Sequence, residues 1–112
     1  AVRLDVIRDR NTLYRELPDG QIENVYQLKI LNKEDQPRRV RISVAGLPGA
    51  QIETAPAEID LGPGALLDVV ARISVERSAA PPGRADLSIR VEDAVDGTVQ
   101  AQRDARFFGP PQ

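Results

Sequence analysis

The sequence predicts an all-β domain, a two-sheet antiparallel sandwich of about seven short strands. Hydrophobic and polar residues alternate in four segments and, more weakly, in three others. Clusters of glycine, proline and aspartate separate these segments at near-regular spacing, and no segment sustains a helical period. The chain has 112 residues, a length that suits one domain rather than two.

Four segments show the alternation clearly, and each predicts a half-buried strand. They span residues 24–32, 39–44, 66–76 and 85–91. In the last of them Leu87 and Ile89 face one side, whereas Ser88 between them faces the other. Such a strand buries one face in a core and leaves the other face in water.

Three weaker segments complete the predicted set, at residues 2–8, 57–61 and 98–108. Ile7 blurs the alternation of the first segment, and a bulge there is one explanation. Arg103 falls on the apolar face of the last segment. An edge strand, or a bulge near Arg103, would resolve that conflict.

The segments between the strands carry turn signals. Asp96-Gly97 lies between two alternating runs and predicts a hairpin with a type I′ turn, in which both central residues have positive φ. The proline-rich segment 109–112 cannot join a central strand. We therefore predict a sandwich over residues 1–108, followed by a frayed tail at residues 109–112.

The residue inventory excludes most catalytic chemistry. The chain contains no His, Cys, Met or Trp, so the usual general base, the thiolate nucleophile and the soft ligands of copper are all missing. Ligation of iron–sulfur clusters and haem depends on the same residue types. We therefore predict no catalytic residue, no metal site and no cofactor in this chain.

Charge and hydropathy exclude two further classes of function. The formal net charge is −2, and no long basic stripe suggests a nucleic-acid surface. No apolar run approaches the roughly 18 residues that a membrane-spanning helix needs. We predict neither nucleic-acid binding nor direct insertion of this domain into a membrane.

Charged clusters leave some alternatives open. Glu92, Asp93 and Asp96 offer oxygen ligands that calcium could use, although a hairpin turn already explains them. Paired carboxylates can also serve in glycoside hydrolysis, but there is no Trp to bind a sugar. The basic cluster within residues 38–41 is interpreted as a solvated strand edge, with contact to phosphate or lipid headgroups as the alternative.

Residues 7–17 break the strand pattern and concentrate polar groups in one segment. A partner-binding surface centred on Arg10, Tyr14 and Arg15 is one interpretation, because exposed Tyr and Arg often anchor interfaces. The other interpretation is structural, with Asp9, Arg10 and Asn11 bonding the backbone across an irregular turn. The complete set of candidate partner-binding residues is Arg8, Asp9, Arg10, Asn11, Tyr14, Arg15 and Glu16.

This same region resembles a known family. The run VIRDRNTLYRELPDGQIENVYQLKILNK, residues 6–33, is similar to the opening of the C-terminal domain of the FixG/CcoG/RdxA proteins. The specific matches are the residues at 8–11, 14–16, 19–20 and 23–32. Gly46-Leu47 and the last strand before Phe107-Phe108 fit more loosely, so the resemblance covers nearly the whole chain.

The resemblance implies an immunoglobulin-like fold and a periplasmic location, tethered to the bacterial inner membrane by an upstream membrane domain outside this chain. The family is associated with assembly of the cbb3-type cytochrome c oxidase and with copper handling. Its electron-transfer motifs are cysteine motifs of iron–sulfur proteins, so with no Cys here that activity is not expected of this chain.

We therefore expect a non-catalytic interaction or scaffold domain of a membrane-bound Fe–S protein. Its expected partners are its own membrane domain, oxidase subunits or copper chaperones. Two alternatives remain at this point: a purely structural cap on the parent's membrane domain, and a sandwich that binds a sugar or calcium.

Overall fold

The structure is a computed structural model that describes residues 2–8 and 13–111. Within these residues it contains nine strands and one short 3-10 helix, η1. The strands are β1 (Val2–Arg8), β2 (Arg15–Glu16), β3 (Ile22–Asn32), β4 (Arg38–Ala45), β5 (Gln51–Glu53), β6 (Glu58–Leu61), β7 (Leu66–Val75), β8 (Arg84–Asp93) and β9 (Val99–Phe108). The helix η1 is Arg77–Ala79, between β7 and β8.

The strands form two antiparallel sheets. The first has the order β1-β3-β7-β5, with β2 also pairing with β3. The second has the order β6-β4-β8-β9. The prediction of an all-β, two-sheet antiparallel sandwich is confirmed.

The described residues hold nine strands where the sequence predicted about seven. The two additional strands are β2 and β5, which contain two and three residues. A period of two cannot be recognised in so few residues. The seven predicted segments correspond to the other seven strands, with ends that differ by up to two residues.

The core lies between the sheets and is almost entirely aliphatic. On β3 every second residue is buried, as the alternation predicts for a strand that packs on one face. Burying one such Leu or Ile side chain stabilises the fold by roughly 1.5–3 kcal/mol. The buried hydrophobic residues are Val2, Leu4, Ile22, Tyr26, Leu28, Ile30, Val40, Ile42, Ile59, Leu61, Ala71, Ile73, Val75, Leu87, Ile89, Val91 and Phe107.

β1 has no bulge at Ile7, although the sequence left that option open. β1 pairs with β3 in one continuous register, in which Ile7 lies opposite Gln27. The Ile7 side chain lies on the outer face of the sheet and is 43% exposed, so it breaks the polarity pattern without breaking the pairing. The register shift lies instead between Val91 and Glu92, where β8 pairs with β9.

The conflict at Arg103 is resolved by an edge strand. β9 pairs only with β8, so its other side is open to the first sheet. From this position Arg103 reaches across to β1, where its Nε donates a hydrogen bond to the carbonyl of Leu4 (2.9 Å). Its guanidinium also lies 3.6 Å from Asp5.

The hairpin between β8 and β9 is present, but its turn is not of type I′. Gly97 has a φ of 75°, whereas no described non-glycine residue, Asp96 included, has positive φ. The Asp93 carboxylate accepts the N–H groups of Val95 (2.8 Å) and Asp96 (3.1 Å), which curls the chain into a longer turn.

Backbone pairing continues into the segment expected to fray. The N–H of Gly109 donates to the carbonyl of Gly83 (2.8 Å), and Gly109 is buried. A Cβ at position 109 would lie 2.3 Å from the carbonyl oxygen of Pro81. Only glycine fits this position without displacing the backbone of the neighbouring loop.

Candidate interaction site

The candidate partner-binding segment is described only in part. Asp9, Arg10 and Asn11 lie outside the described residues. Arg8 ends β1, Arg15 and Glu16 form β2, and Tyr14 immediately precedes β2. These described members therefore lie at one end of the first sheet, where β1 and β2 both pair with β3.

Arg8 packs against the last residue of the sandwich. Its guanidinium carbon lies 4.4 Å from the centre of the Phe108 ring, the geometry of a cation–π contact. Such a contact is worth about 0.5–1 kcal/mol near the surface. Arg8 thus links β1 to the end of β9.

Arg15 is paired with a buried carboxylate. Glu23 is its register partner on β3, and the Glu23 side chain is only 8% exposed. One Glu23 oxygen, Oε1, lies 3.2 Å from Arg15 and 3.6 Å from Arg72 on β7. Neither contact has hydrogen-bond geometry, so two guanidinium groups neutralise this carboxylate by proximity.

The remaining two described members of the segment also contact the body of the domain. Glu16 forms an ion pair with Arg77 of η1. Tyr14 is half-buried and packs against the core cluster. These contacts fix Arg8 and residues 14–16 on the sandwich, and a role of residues 8–16 in binding a partner stays a prediction.

Side chains bridge part of one long edge of the sandwich. The amide of Asn24 on β3 bonds both backbone groups of Phe108: its oxygen accepts the N–H (2.8 Å), and its nitrogen donates to the carbonyl (2.9 Å). Tyr26 donates its hydroxyl to the carbonyl of Arg106 (2.7 Å). With the bond from Arg103 to the carbonyl of Leu4, these bonds pair four backbone groups on the facing edges of β1 and β9.

Burial of the Tyr26 ring raises the pKa of its hydroxyl well above the ordinary value, because the charged phenolate would lose its hydration there. The positive charge of Arg8 opposes this effect without overcoming it. Tyr26 therefore stays a hydrogen-bond donor and has no use as a proton-transfer group near neutral pH.

The opposite long edge is open. There the chain leaves β5, crosses between the sheets at residues 54–57 and enters β6, with a cis peptide bond between Ala55 and Pro56. A cleft of about 630 Å³ lies along this crossing, between β6 and β7. Its lining includes Ile59, Leu67 and Val69 together with the carboxylates of Glu53, Glu58, Asp60 and Asp68.

The carboxylates around the cleft differ in their partners. On the β6 side, Arg39 lies 2.8 Å from Asp60 and 3.9 Å from Glu58. On the β7 side, Glu53 and Asp68 form no ion pair within the part of the chain that the structure describes. Arg72, the register partner of Glu53, also lines the cleft on this side, so Asp68 is the carboxylate there without a neighbouring guanidinium in the lining.

The predicted charged clusters hold turns and strands together. The carboxylates of Glu34 and Asp93 both bind Arg38, at 2.8 Å and 3.0 Å. Hydrogen bonding from Arg38 holds the pKa of Glu34 below its ordinary value. The N–H groups of Val95 and Asp96, and then Arg38, do the same for the pKa of Asp93.

The arginines at residues 38–41 are paired across strands, since Arg39 contacts Asp60 and Arg41 lies 3.7 Å from Glu92. Asp96 accepts the N–H of Thr98 (2.9 Å). Among residues 2–8 and 13–111 the structure shows no group of three or more metal-ligating side chains.

Sequence reasoning missed Asn24 and Asn32. Both occupy inward positions in the alternation of β3, and a polar residue on an apolar face is the signal that could have identified them. Asn32 is fully buried, and its amide nitrogen donates to the carbonyls of Gln36 (2.9 Å) and Gly62 (3.1 Å) in loops and of Leu61 (3.3 Å) at the end of β6. The open cleft left no signal in the sequence, because it depends on where β5 ends.

No helix among the described residues is long and apolar enough to cross a membrane. The fold and its polar clusters define an immunoglobulin-like β-sandwich domain whose charged and amide side chains mainly connect strands and turns. The model of the family described as "IG-like fold at C-terminal of FixG, putative oxidoreductase" matches residues 1–110. The chain belongs to this family of FixG C-terminal domains.

Individual relatives agree with this assignment. The chain is 34% identical over 116 aligned residues to the protein RdxA of Cereibacter sphaeroides, covering 97% of this chain and 25% of RdxA. It is 32% identical over 54 residues to the nitrogen fixation protein FixG of Rhizobium meliloti, covering 48% of this chain and 10% of FixG. The chain thus spans about a quarter of the length of RdxA.

Solved structures share the fold. The crystal structure of a FixG-related protein from Vibrio parahaemolyticus superposes with a TM-score of 0.80 at 24% identity, covering 96% of this chain and 94% of the crystallised one. A part of tripeptidyl peptidase 2 superposes with a TM-score of 0.54 at 17% identity, covering 97% of this chain and 10% of the peptidase. At these identities the likeness concerns the fold alone.

Proposed function

We propose that this chain is a non-catalytic interaction and scaffold domain of a membrane-bound Fe–S protein that assists assembly of the cbb3-type cytochrome c oxidase and copper handling. The observation that supports it is the contrast between the family's description as an oxidoreductase and the residues of this domain. The chain has no His, Cys or Met, and its buried phenol is held as a hydrogen-bond donor.

Electron transfer in such a protein would be assigned to regions outside this domain. Iron–sulfur clusters need thiolate ligands, and tight copper sites need thiolate, thioether or imidazole ligands. Three quarters of RdxA lies outside the match, which leaves ample chain for these motifs. The domain would contribute recognition and positioning rather than a reaction.

The proposed location is the periplasmic side of the inner membrane, with the tether supplied by the parent's membrane domain. The proposed partners are that membrane domain, oxidase subunits or copper chaperones. The predicted surface at residues 8–16 is one proposed contact, and its described members Arg8, Arg15 and Glu16 are anchored on the sandwich. No specific observation favours calcium or sugar binding, because Asp93 and Asp96 already accept backbone N–H groups in their turn.

Replacement of the domain in the full-length parent tests the proposal. One strain would lack the domain, and a second would carry an unrelated immunoglobulin-like domain of similar size in its place. We expect both strains to assemble less cbb3-type oxidase at limiting copper, measured as oxidase activity per cell. Parent protein in the membrane, measured by immunoblot, should be normal at least in the replacement strain.

Two outcomes would contradict the proposal. If the unrelated sandwich restores oxidase activity in full, the domain is only a structural cap on its parent. If the isolated domain reduces Cu(II) catalytically in the presence of an electron donor, it is not a non-catalytic domain.

A further inference from the structure

We propose that the free edge of β7, residues 66–70, accepts an extended segment of a partner protein as an added β-strand. The segment would place a basic side chain beside Asp68 and apolar side chains two positions to either side. The inference rests on the proposed function, because it names the contact by which the domain would bind its partner.

The backbone of this edge is unpaired over residues 66–70. Asn32 donates its N–H to the carbonyl of Ala65 (2.9 Å), and these two residues continue the register between β3 and β7. This bond shows which residues of β7 direct their backbone groups to β3. In an antiparallel ladder alternate residues direct both backbone groups to the same neighbour. The N–H and C=O groups of Leu67 and Val69 therefore point to β3, and those of Leu66, Asp68 and Val70 point away from it.

β5 does not cover these outward groups. Its register reaches only Arg72, Ile73 and Ser74 of β7, after which the chain crosses to the other sheet. The pairings and hydrogen bonds among the described residues leave the outward groups of Leu66, Asp68 and Val70 to water. An open row of this kind is a template for pairing with another strand.

The opposite long edge shows a different arrangement. There, Asn24, Tyr26 and Arg103 pair four backbone groups of β1 and β9 with side-chain hydrogen bonds. Proteins commonly cover or block strand edges that would otherwise recruit other chains. The outward groups of residues 66–70 have no such side-chain partner among the described residues, and they lie beside a cleft.

The outer face of the sheet indicates the chemistry of the added strand. Across β1, β3 and β7 one row reads Asp5, Lys29 and Asp68, so opposite charges alternate from strand to strand. The next position in this row, on an added strand, favours Lys or Arg. Leu66 and Val70 lie two residues to either side of Asp68 and are 60% and 49% exposed, so they favour apolar neighbours.

The cleft accommodates the side chains that an added strand would direct inward. Ile59, Leu67 and Val69 provide an apolar floor, and Glu53 adds a carboxylate near the β7 side. A second copy of this chain fits the edge poorly. Antiparallel pairing of two β7 strands centred on Asp68 would place two carboxylates opposite each other, which is unfavourable. The edge thus suits a different chain with a basic residue.

Amide hydrogen exchange with a designed peptide tests this inference. The probe is a peptide with the core Val-Thr-Lys-Thr-Val, and the control peptide has Glu in place of Lys. On addition of the Lys peptide we expect exchange of the Leu66, Asp68 and Val70 amides to slow by at least about tenfold. The amides of Leu67 and Val69 should not change, because they are already bonded to β3.

Two charge reversals then separate the edge from a general charge effect. D68K should weaken binding of the Lys peptide by about tenfold or more and improve binding of the Glu peptide. D86K makes the same change at an exposed position of β8, a strand that contributes nothing to the lining of the cleft, and should leave both affinities unchanged. V70P removes one outward N–H, is tolerated at a strand edge, and should also weaken binding.

The inference is overturned if none of the edge amides is protected, or if the Lys and Glu peptides bind equally well. It is also overturned if the same amides become protected with rising protein concentration alone, since the occupant is then a second copy. Loss of oxidase assembly on replacing the domain, without edge protection by peptide, would leave the proposed function standing and refute only this edge. Edge protection by the peptide, without any loss of oxidase assembly on replacing the domain, would refute the proposed function and support only the strand-binding edge.

Discussion

The amide of Asn24 pairs with both backbone groups of Phe108, although the two residues are 84 positions apart in the sequence. One residue on β3 thereby takes the place that a neighbouring strand would occupy beside the end of β9. The side chain of Asn24 is buried, so water cannot replace these bonds when the amide is removed.

Substitution of Asn24 by Leu should therefore be costly. N24L keeps a side chain of similar size but leaves the N–H and C=O of Phe108 without a partner. We expect a loss of about 3 kcal/mol in the free energy of unfolding, measured by urea denaturation. Q27L, on the exposed face of the same strand, should change it by less than about 0.5 kcal/mol. Equal stabilities of the two variants would contradict this role of Asn24.

The hydroxyl of Tyr26 gives a second, smaller test of the side-chain hydrogen bonds from β3 to β9. Y26F removes only the donor to the carbonyl of Arg106 and should lower the free energy of unfolding by about 1–2 kcal/mol. Y14F is the matched control, because the hydroxyl of Tyr14 bonds no described residue. A cost for Y14F as large as that for Y26F would argue against the assignment.

Asn32 is expected to be among the most sensitive positions in the chain. N32D replaces the donor amide with a carboxylate that faces the carbonyls of Gln36, Leu61 and Gly62. Because the group is fully buried, we expect a loss of about 3 kcal/mol or more in the free energy of unfolding. Heteronuclear NMR should show the changes concentrated in the two loops, and a variant with wild-type stability would refute the arrangement.

Gly109 is expected to tolerate no side chain. The added methyl group in G109A would meet the carbonyl of Pro81 and should lower the free energy of unfolding by about 1–3 kcal/mol. For a domain of this size each 1 kcal/mol corresponds to roughly 4–8 °C in Tm, which thermal denaturation would detect. G62A is the control, since a Cβ there meets nothing within 4 Å. An unchanged Tm in G109A would show that the backbone around Pro81 can move away at little cost in free energy.

The pH dependence of stability should show the contribution of Asp93 and Glu34. The pKa values of both carboxyls are lowered in the folded state, so each binds a proton less readily there than in the unfolded chain. Their stabilising effect is therefore present above about pH 4 and is lost as the pH falls through the folded-state values. Because D93N keeps the turn acceptor but cannot titrate, it should show a shallower loss of stability in acid. Identical acid profiles for D93N and the wild type would contradict this.

The sequence by itself determined the class of fold, the places of seven strands and the face that each presents to the core. A period of two is a local property, because successive side chains of a strand point to opposite faces. It also determined that the chain has no His, Cys or Met, since residue counts need no structure. It marked residues 8–16 as an unusual polar segment, but it did not indicate that Arg8 would pack on Phe108 or Arg15 on Glu23.

Only the tertiary structure decided which strands are neighbours, and therefore which backbone groups at the strand edges have partners. Alternation fixes the face of a side chain and not the strand beside it, so the pairing of Asn24 with Phe108 could not be read from either segment. The same holds for the open edge at residues 66–70, which exists because β5 stops after three residues and the chain crosses to the other sheet. Hydrogen bonds between distant segments depend on the global register, and local patterns contain no information about it.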